Sequence, residues 1–127
     1  MDRTNFRAEV RIFPDAEATC AALAAALAEL AAPCLTSGSR LCLALSGGTT
    51  PRRLYQRLAG AYHDRLPWNR LHFFFGDDRF VPHEDTTSNY RMAREALFDA
   101  APIPQGNIHP MPTFFQDPAA GAAEYEA

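Results

Sequence analysis

Polar and apolar residues form blocks of different period near the start of the chain. Glu9 to Phe13 alternates between polar and apolar residues, which predicts a half-exposed strand. Pro14-Asp15 then marks a helix start. The Ala-rich segment Ala16 to Ala32 predicts a helix, because alanine is the best helix former. This helix is expected to pack on a sheet through leucines at helical spacing, which are Leu23, Leu27 and Leu30.

The next block, Leu41 to Leu45, is apolar throughout. Pro33 ends the preceding helix, and Thr36 to Ser39 predicts a turn before this run. Continuous apolarity is typical of a strand covered on both faces, as in a parallel sheet. The run stops abruptly at Ser46-Gly47-Gly48, so we expect the strand to end in a glycine turn.

A second helix is predicted directly after these glycines. Thr50 can cap its N-terminus. Pro51 suits the first helical position, because an N–H there would have no partner within the helix and proline has none to lose. Gly60 is the predicted C-terminal cap. The buried stripe of this helix is expected to consist of Leu54, Tyr55 and Leu58.

The same order of strand, polar loop and helix then repeats. The apolar run Leu71 to Phe75 breaks at Gly76 into Asp77-Asp78-Arg79. After a polar loop, Ser88 can cap a further helix. The residues expected to face the core from this helix are Ala93, Ala96 and Leu97.

The order of the elements predicts an α/β fold. Ile108 to Met111 predicts a short strand, and Pro118 to Ala127 predicts a helix without a stop signal. Strands that alternate with helices favour an open, mostly parallel sheet with helices on both faces. We therefore expect residues 1–127 to form a partial α/β domain whose C-terminal part is absent. In such sheets ligands bind beyond the carboxyl ends of the strands, where both polar loops fall.

Composition mainly excludes function classes. The net charge of -3 and the spread of the arginines give no basic patch, so no nucleic-acid partner is expected. No apolar run approaches the length of a membrane span, about 20 residues. Met1 to Arg11 is polar, and together these features predict a soluble, cytoplasmic protein without a membrane partner. The cysteines, which predict no disulfide framework or metal site, are Cys20, Cys34 and Cys42. The oligomeric state is not indicated.

The glycine turn has the parts of an anion site. Its glycines let main-chain amides approach a ligand, its hydroxyls can donate, and the following helix contributes unpaired N–H groups. The spacing matches neither the nucleotide P-loop nor the dinucleotide fingerprint. A sugar phosphate fits this loop, although a plain strand-to-helix turn would use the same glycines. The residues concerned are Ser46, Gly47, Gly48, Thr49 and Thr50.

The second polar loop combines two carboxylates with a guanidinium. Asp77, Asp78 and Arg79 follow a buried strand, and such a mixture suits proton transfer or binding of a polyhydroxylated substrate. The alternative is structural, with one aspartate capping a turn and Arg79 in an ordinary ion pair. A divalent metal is not expected, because no third protein ligand stands out nearby.

Taken in order, three motifs resemble the 6-phosphogluconolactonase family, which is similar to the glucosamine-6-phosphate deaminases and shares their Rossmann-like sheet. An arginine at position 79, where the deaminases usually have tyrosine, favours the lactonase branch. The motifs are Leu45-Ser46-Gly47-Gly48-Thr49-Thr50-Pro51 with Leu54-Tyr55, then Trp68 and Phe75-Gly76-Asp77-Asp78-Arg79-Phe80-Val81-Pro82, and finally Ser88-Asn89-Tyr90.

The resemblance implies hydrolysis of 6-phosphoglucono-δ-lactone to 6-phosphogluconate in the oxidative pentose phosphate pathway, without metal or cofactor. It implies that the loop from Ser46 to Thr50 holds the 6-phosphate, and that Asp77 and Arg79 line the substrate cavity. Asp78 stands where many relatives have glutamate, which leaves its role open.

The resemblance also implies that the general base lies elsewhere. In the family this base is a histidine in a G-x-D-G-H-T motif further along the chain, and residues 1–127 contain no such motif. We therefore expect this chain alone to be inactive. The histidines present are predicted to be structural or solvated, and only His83 is near the site in sequence; they are His63, His72, His83 and His109.

Two alternatives stay open at this point. One is a deaminase or isomerase acting on an amino-sugar phosphate, with an aspartate as base. The other is a phosphosugar-binding module without catalysis, which the missing histidine motif would explain.

Overall fold

The computed structural model describes residues 7–126, and it confirms an α/β fold with a parallel sheet. Strand β1 is Leu41–Leu45 and strand β2 is Leu71–Phe75, with the bounds predicted. The strands pair in parallel from Leu41 with Leu71 to Leu45 with Phe75. Ile108 adds one parallel bridge to Phe73, so the strand predicted over 108–111 is reduced to a single pair. The carboxyl ends of β1 and β2 therefore lie side by side.

The predicted helices occur in the predicted order, with short 3-10 turns at Trp68–Arg70 and Gln105–Asn107. The turn predicted over 36–39 is wrong in part, because Cys34–Ser37 forms a short helix that ends at Gly38. The fourth helix continues directly into one π-helical segment, Arg94–Phe98. The predicted cap Ser88 is confirmed, since its side chain accepts the Arg91 N–H. The predicted helix start at Pro14-Asp15 is also confirmed, and the Asp15 side chain accepts the Ala18 N–H. The helices are α1 Ala16–Ala31, α2 Cys34–Ser37, α3 Thr49–Gly60, α4 Asn89–Ala93 and α5 Pro118–Glu126.

The core lies between one face of the sheet and helices α1, α3 and α4 with its π-helical extension. Phe73 at its centre is fully buried. The predicted inward residues of α3 and of the 89–98 helix are all buried. Helix α5 reaches the edge of β2, where its Tyr125 hydroxyl accepts the Phe75 N–H at 2.9 Å and donates to the His109 carbonyl at 2.8 Å. The prediction that β1 is covered on both faces is not met within residues 7–126, because Cys42 and Ala44 are exposed.

The predicted strand at 9–13 is wrong, because these residues form no strand. Val10 and Ile12 are 78% and 89% exposed. Alternation can make a strand only where a neighbour offers a free edge for hydrogen bonding, and no described residue pairs with this segment.

The predicted buried face of α1 is also wrong. Leu23 and Leu30 are 47% and 63% exposed, while only Leu27 of the three packs against the core. The buried residues are instead Cys20, Ala24 and Ala31. Small side chains let α1 lie close to α3, so the helix turns its alanine stripe inward.

Two further corrections concern α3 and the membrane. Gly48 is the residue that precedes the helix, at φ 106°, so Thr50 is not the cap and Pro51 is not at the first position. Gly60 is the last helical residue, and Ala61 follows as the cap. The stretch Ala16–Ser37 is long and apolar enough to cross a membrane by length and composition alone, which was not expected from the sequence; core helices of soluble proteins meet the same criteria.

Candidate functional site

The two polar loops begin next to each other at the carboxyl edge of the sheet. Leu45 and Phe75 are paired at the end of the two strands. The Gly76 N–H donates to the Leu45 carbonyl at 2.9 Å, which extends the contact by one residue beyond the strands. The glycine loop, residues 46–50, and the acidic loop, residues 76–79, thus leave the sheet from adjoining positions.

The glycine loop is held from below by Tyr55 of α3. The Tyr55 hydroxyl accepts the Ser46 N–H at 2.9 Å and donates to the Ser46 carbonyl at 2.8 Å. Burial raises the pKa of this phenol, so it stays protonated and can make both bonds. The sequence predicted Tyr55 to be in the core. It did not predict that the hydroxyl would bind Ser46, because only the fold determines which group this hydroxyl meets.

The glycine loop leaves its amides free for a ligand. The first bond of α3 runs from the Arg52 N–H to the Gly48 carbonyl at 3.2 Å. Within residues 7–126, the N–H groups of Gly47, Gly48, Thr49 and Thr50 donate to no protein acceptor. The first turn of α3 carries no acidic side chain, which leaves the positive end of the helix dipole uncompensated. This arrangement suits an anion such as a phosphate group.

Asp78 anchors the acidic loop to the start of α4. One carboxylate oxygen accepts the N–H groups of Arg79 at 2.8 Å and Asn89 at 2.7 Å, and the other accepts the Tyr90 N–H at 3.1 Å. Main-chain N–H groups at the start of a helix have no intrahelical partner, so this carboxylate satisfies them. The structural alternative considered from sequence, an aspartate that caps, therefore holds for Asp78.

Asp77 and Arg79 remain available to a ligand. Both are exposed, and neither forms an ion pair within the described part of the chain. The Arg79 guanidinium donates to the Thr87 carbonyl at 2.9 Å, which tethers it and leaves its other N–H groups free. The ordinary ion pair considered for Arg79 is not observed.

Asn89 contacts both loops, and it was not assigned to the site from the sequence. Its side-chain amide donates to the Asp77 carbonyl at 3.2 Å and lies 3.4 Å from the Asp77 carboxylate. The same side chain lies so close to Gly47 that a Cβ there would be 2.2 Å from Asn89 Oδ1. The motif Ser88-Asn89-Tyr90 signalled this position, but only the fold shows that Asn89 touches both loops.

The four histidines form no contact with either loop within residues 7–126. His83 shares a hydrogen bond of 2.9 Å with the Met111 carbonyl. His72 Nδ1 lies 3.1 Å from His109 Nε2, within hydrogen-bond distance. His63 is exposed beside Asp64 in the turn after α3. A general base among these histidines has no support in the structure.

Comparison with known proteins gives a consistent result. Residues 14–127 match the family described as glucosamine-6-phosphate isomerases/6-phosphogluconolactonase. The chain is 50% identical to the 6-phosphogluconolactonase of Synechocystis over 84 residues, which are 66% of this chain and 34% of that protein. It is 35% identical to that of Mycobacterium leprae over 123 residues, or 94% of this chain and 49% of that protein.

A solved structure shows the same fold. The crystal structure of the Thermotoga maritima 6-phosphogluconolactonase superposes with a TM-score of 0.78 at 31% identity, covering 91% of this chain and 50% of that one. The chain thus spans between about a third and a half of the length of the relatives it matches.

Proposed function

Because this chain belongs to the family of glucosamine-6-phosphate isomerases and 6-phosphogluconolactonases, we propose that it contributes the substrate-binding half of an enzyme that hydrolyses 6-phosphoglucono-δ-lactone. The observation that carries the proposal is the row of free amides at the start of α3. This row lies next to the exposed Asp77 carboxylate and the exposed Arg79 guanidinium, neither of which forms an ion pair within residues 7–126.

The glycine loop binds the 6-phosphate. Phosphate oxygens accept hydrogen bonds from the main-chain N–H groups of Gly47 to Thr50, and the hydroxyls of Ser46, Thr49 and Thr50 add further donors. Ser46, Thr49 and Thr50 are exposed and can reach a ligand. Because the amides are fixed by α3 and by Tyr55, they need no rearrangement when the anion arrives.

The acidic loop binds the sugar lactone. Asp77 accepts hydrogen bonds from the ring hydroxyls, and Arg79 donates to oxygens that carry partial negative charge. In hydrolysis a water adds to the lactone carbonyl carbon, the bond to the ring oxygen breaks, and that oxygen takes up a proton. Arg79 can stabilise the oxyanion formed when water adds. A base outside these loops must take the proton of the water.

The deaminase alternative is less favoured, because Asp78 is occupied by main-chain N–H groups and position 79 is arginine. The proposed substrate is a small sugar phosphate, and we further propose a cytoplasmic location. Cys20, Ala24 and Ala31 of α1 are buried in the core, so part of the apolar stretch Ala16–Ser37 packs inside the protein.

Lactone turnover tests the proposal. Freshly prepared 6-phosphoglucono-δ-lactone is incubated with this chain and with a chain extended to the next in-frame stop codon, and the spontaneous rate is subtracted. Turnover by the extended chain alone is expected. A folded extended chain that leaves the lactone rate unchanged would overturn the lactonase proposal. Turnover of glucosamine 6-phosphate would then support the deaminase, and phosphosugar binding without turnover the binding module.

A further inference from the structure

Among residues 7–126, Asn89 is the buried polar side chain that contacts both loops of the site. It is only 6% exposed, and its contacts reach Gly47 on one side and Asp77 on the other. We propose that Asn89 is a positioning residue that fixes the Asp77 carboxylate relative to the phosphate-binding amides. This inference rests on the proposed function, since it concerns the geometry of that same site.

On the acidic side, Asn89 holds main chain and carboxylate together. Its side-chain N–H groups reach both the carbonyl and the carboxylate of Asp77, at 3.2 and 3.4 Å. Its own main-chain N–H is bound by Asp78 at 2.7 Å, so the residue cannot slide along the loop. Asp77 has no other hydrogen-bond donor within residues 7–126, which makes Asn89 the only described protein group that orients its carboxylate.

On the phosphate side, the contact depends on a glycine. A Cβ at Gly47 would meet Asn89 Oδ1 at 2.2 Å and Cγ at 2.6 Å, both far inside van der Waals contact. Gly47 does not have a positive φ, so its lack of a side chain is explained by this close approach and not by backbone conformation. The amide of Asn89 therefore lies directly against the main chain that binds phosphate.

The chemistry of the amide is as important as its size. A leucine of similar volume would fill the space without donating to Asp77. An aspartate would place a second negative charge next to Asp77 and repel it. Only an amide fills the gap beside Gly47 and also donates to a carboxylate.

Asn107 provides a matched control. Its amide also donates two hydrogen bonds to main-chain carbonyls, those of Asn69 at 3.1 Å and Leu71 at 3.0 Å. These lie at the amino end of β2, opposite the site. Replacing either asparagine removes the same kind of bond, but only Asn89 touches the loops.

The kinetic test compares Asn89→Ala, Asn89→Asp and Asn107→Ala in the extended chain, with kcat and KM for the lactone and the melting temperature measured for each. Both alanine variants are expected to lower the melting temperature. Asn89→Ala is expected to lower kcat about tenfold or more, since a small misplacement of a reacting group is costly. Asn89→Asp, which preserves the volume, should lower kcat and also shift the pH profile. Equal kcat and KM in the three variants would overturn the inference.

A second test does not depend on activity, so it separates this inference from the lactonase proposal. Gly47→Ala is introduced alone and together with Asn89→Ala, and the melting temperature of each is compared with the parent. The Gly47→Ala loss is expected to shrink in the Asn89→Ala background, because the clashing atoms are gone. Strictly additive losses would show that Asn89 does not press on the glycine loop, and would overturn the inference even for an inactive protein.

Discussion

The two loops of the site differ in what they offer a ligand. The glycine loop presents main-chain amides, and the Tyr55 hydroxyl holds both the N–H and the carbonyl of Ser46. The acidic loop presents side chains, and two adjacent aspartates of the same type do different work. Asp78 accepts main-chain N–H groups, whereas Asp77 and Arg79 stay exposed. A binding site made of main-chain groups can therefore be predicted from a sequence motif. A site made of side chains can be assigned only when the contacts of each side chain are known.

The largest effects are expected when the two aspartates are substituted one at a time. Asp77→Asn should lower kcat/KM for the lactone about a hundredfold, because the substrate hydroxyls lose a charged acceptor. The melting temperature should change little, since the only described contact of this carboxylate is with Asn89. Asp78→Ala should instead lower the free energy of unfolding by about 2–3 kcal/mol, since it leaves several N–H groups without an acceptor. Steady-state kinetics and urea unfolding of both variants measure the split. If Asp78→Ala matched Asp77→Asn in both measurements, the division of labour would be wrong.

Gly48→Ala should have the next largest effect. Gly48 has φ 106° and ψ 173°, a conformation that is almost restricted to glycine, and alanine there costs about 1–3 kcal/mol. A Cβ would meet nothing closer than Pro51 Cδ at 3.7 Å, so the loss is conformational and not steric. Gly106→Ala is the control, because its φ is not positive and a Cβ there has no neighbour within 4 Å. Equal unfolding midpoints for the two variants would contradict this account of the glycine loop.

Tyr55→Phe tests the support of the glycine loop at a smaller scale. Loss of the hydroxyl removes both bonds to Ser46 and should cost about 1 kcal/mol. The raised pKa of Tyr55 also predicts that stability is full below the unfolded phenol pKa of about 10 and falls as pH rises towards the folded value. This alkaline loss should be smaller in Tyr55→Phe than in Tyr62→Phe. Identical alkaline unfolding curves would count against this role of the Tyr55 hydroxyl.

The smallest effect is expected away from both loops, at His72. Burial and then the nearby Arg40 and His109 lower the pKa of His72. A lowered pKa favours the neutral form in the folded state, so stability should fall as pH drops from about 6.5 towards the folded value. His72→Phe should flatten that acid slope, as measured by urea unfolding at a series of pH values. An unchanged slope in His72→Phe would show that His72 does not determine how stability changes at acid pH.

The strands and the glycine loop were predictable from sequence because their signals are local. Leu41–Leu45 and Leu71–Phe75 are short apolar runs that end at glycines, and their bounds were right. The face of α1 was wrong, since leucine spacing does not show that alanines allow closer packing on α3. Residues 9–13 were wrong because a strand also needs a free neighbouring edge.

The site was only partly predictable, because some of its contacts join residues that are distant in sequence. The glycine loop could be proposed as an anion site from its own residues. The separate role of Asp78 depends on main-chain groups of Asn89 and Tyr90, which only the turn between β2 and α4 brings to it. The contact of Asn89 with Gly47 joins residues from different loops, and no local pattern encodes it.

The most direct test of phosphate binding by the glycine loop is an amide chemical-shift titration of the 15N-labelled protein. The ligands are 6-phosphogluconate, the stable product of the proposed reaction, and gluconate, which lacks the phosphate. We predict that the amides of Gly47, Gly48, Thr49 and Thr50 shift with 6-phosphogluconate and stay unchanged with gluconate at equal concentration. Shifts of equal size with both ligands, or shifts confined to residues outside the glycine loop, would contradict the account.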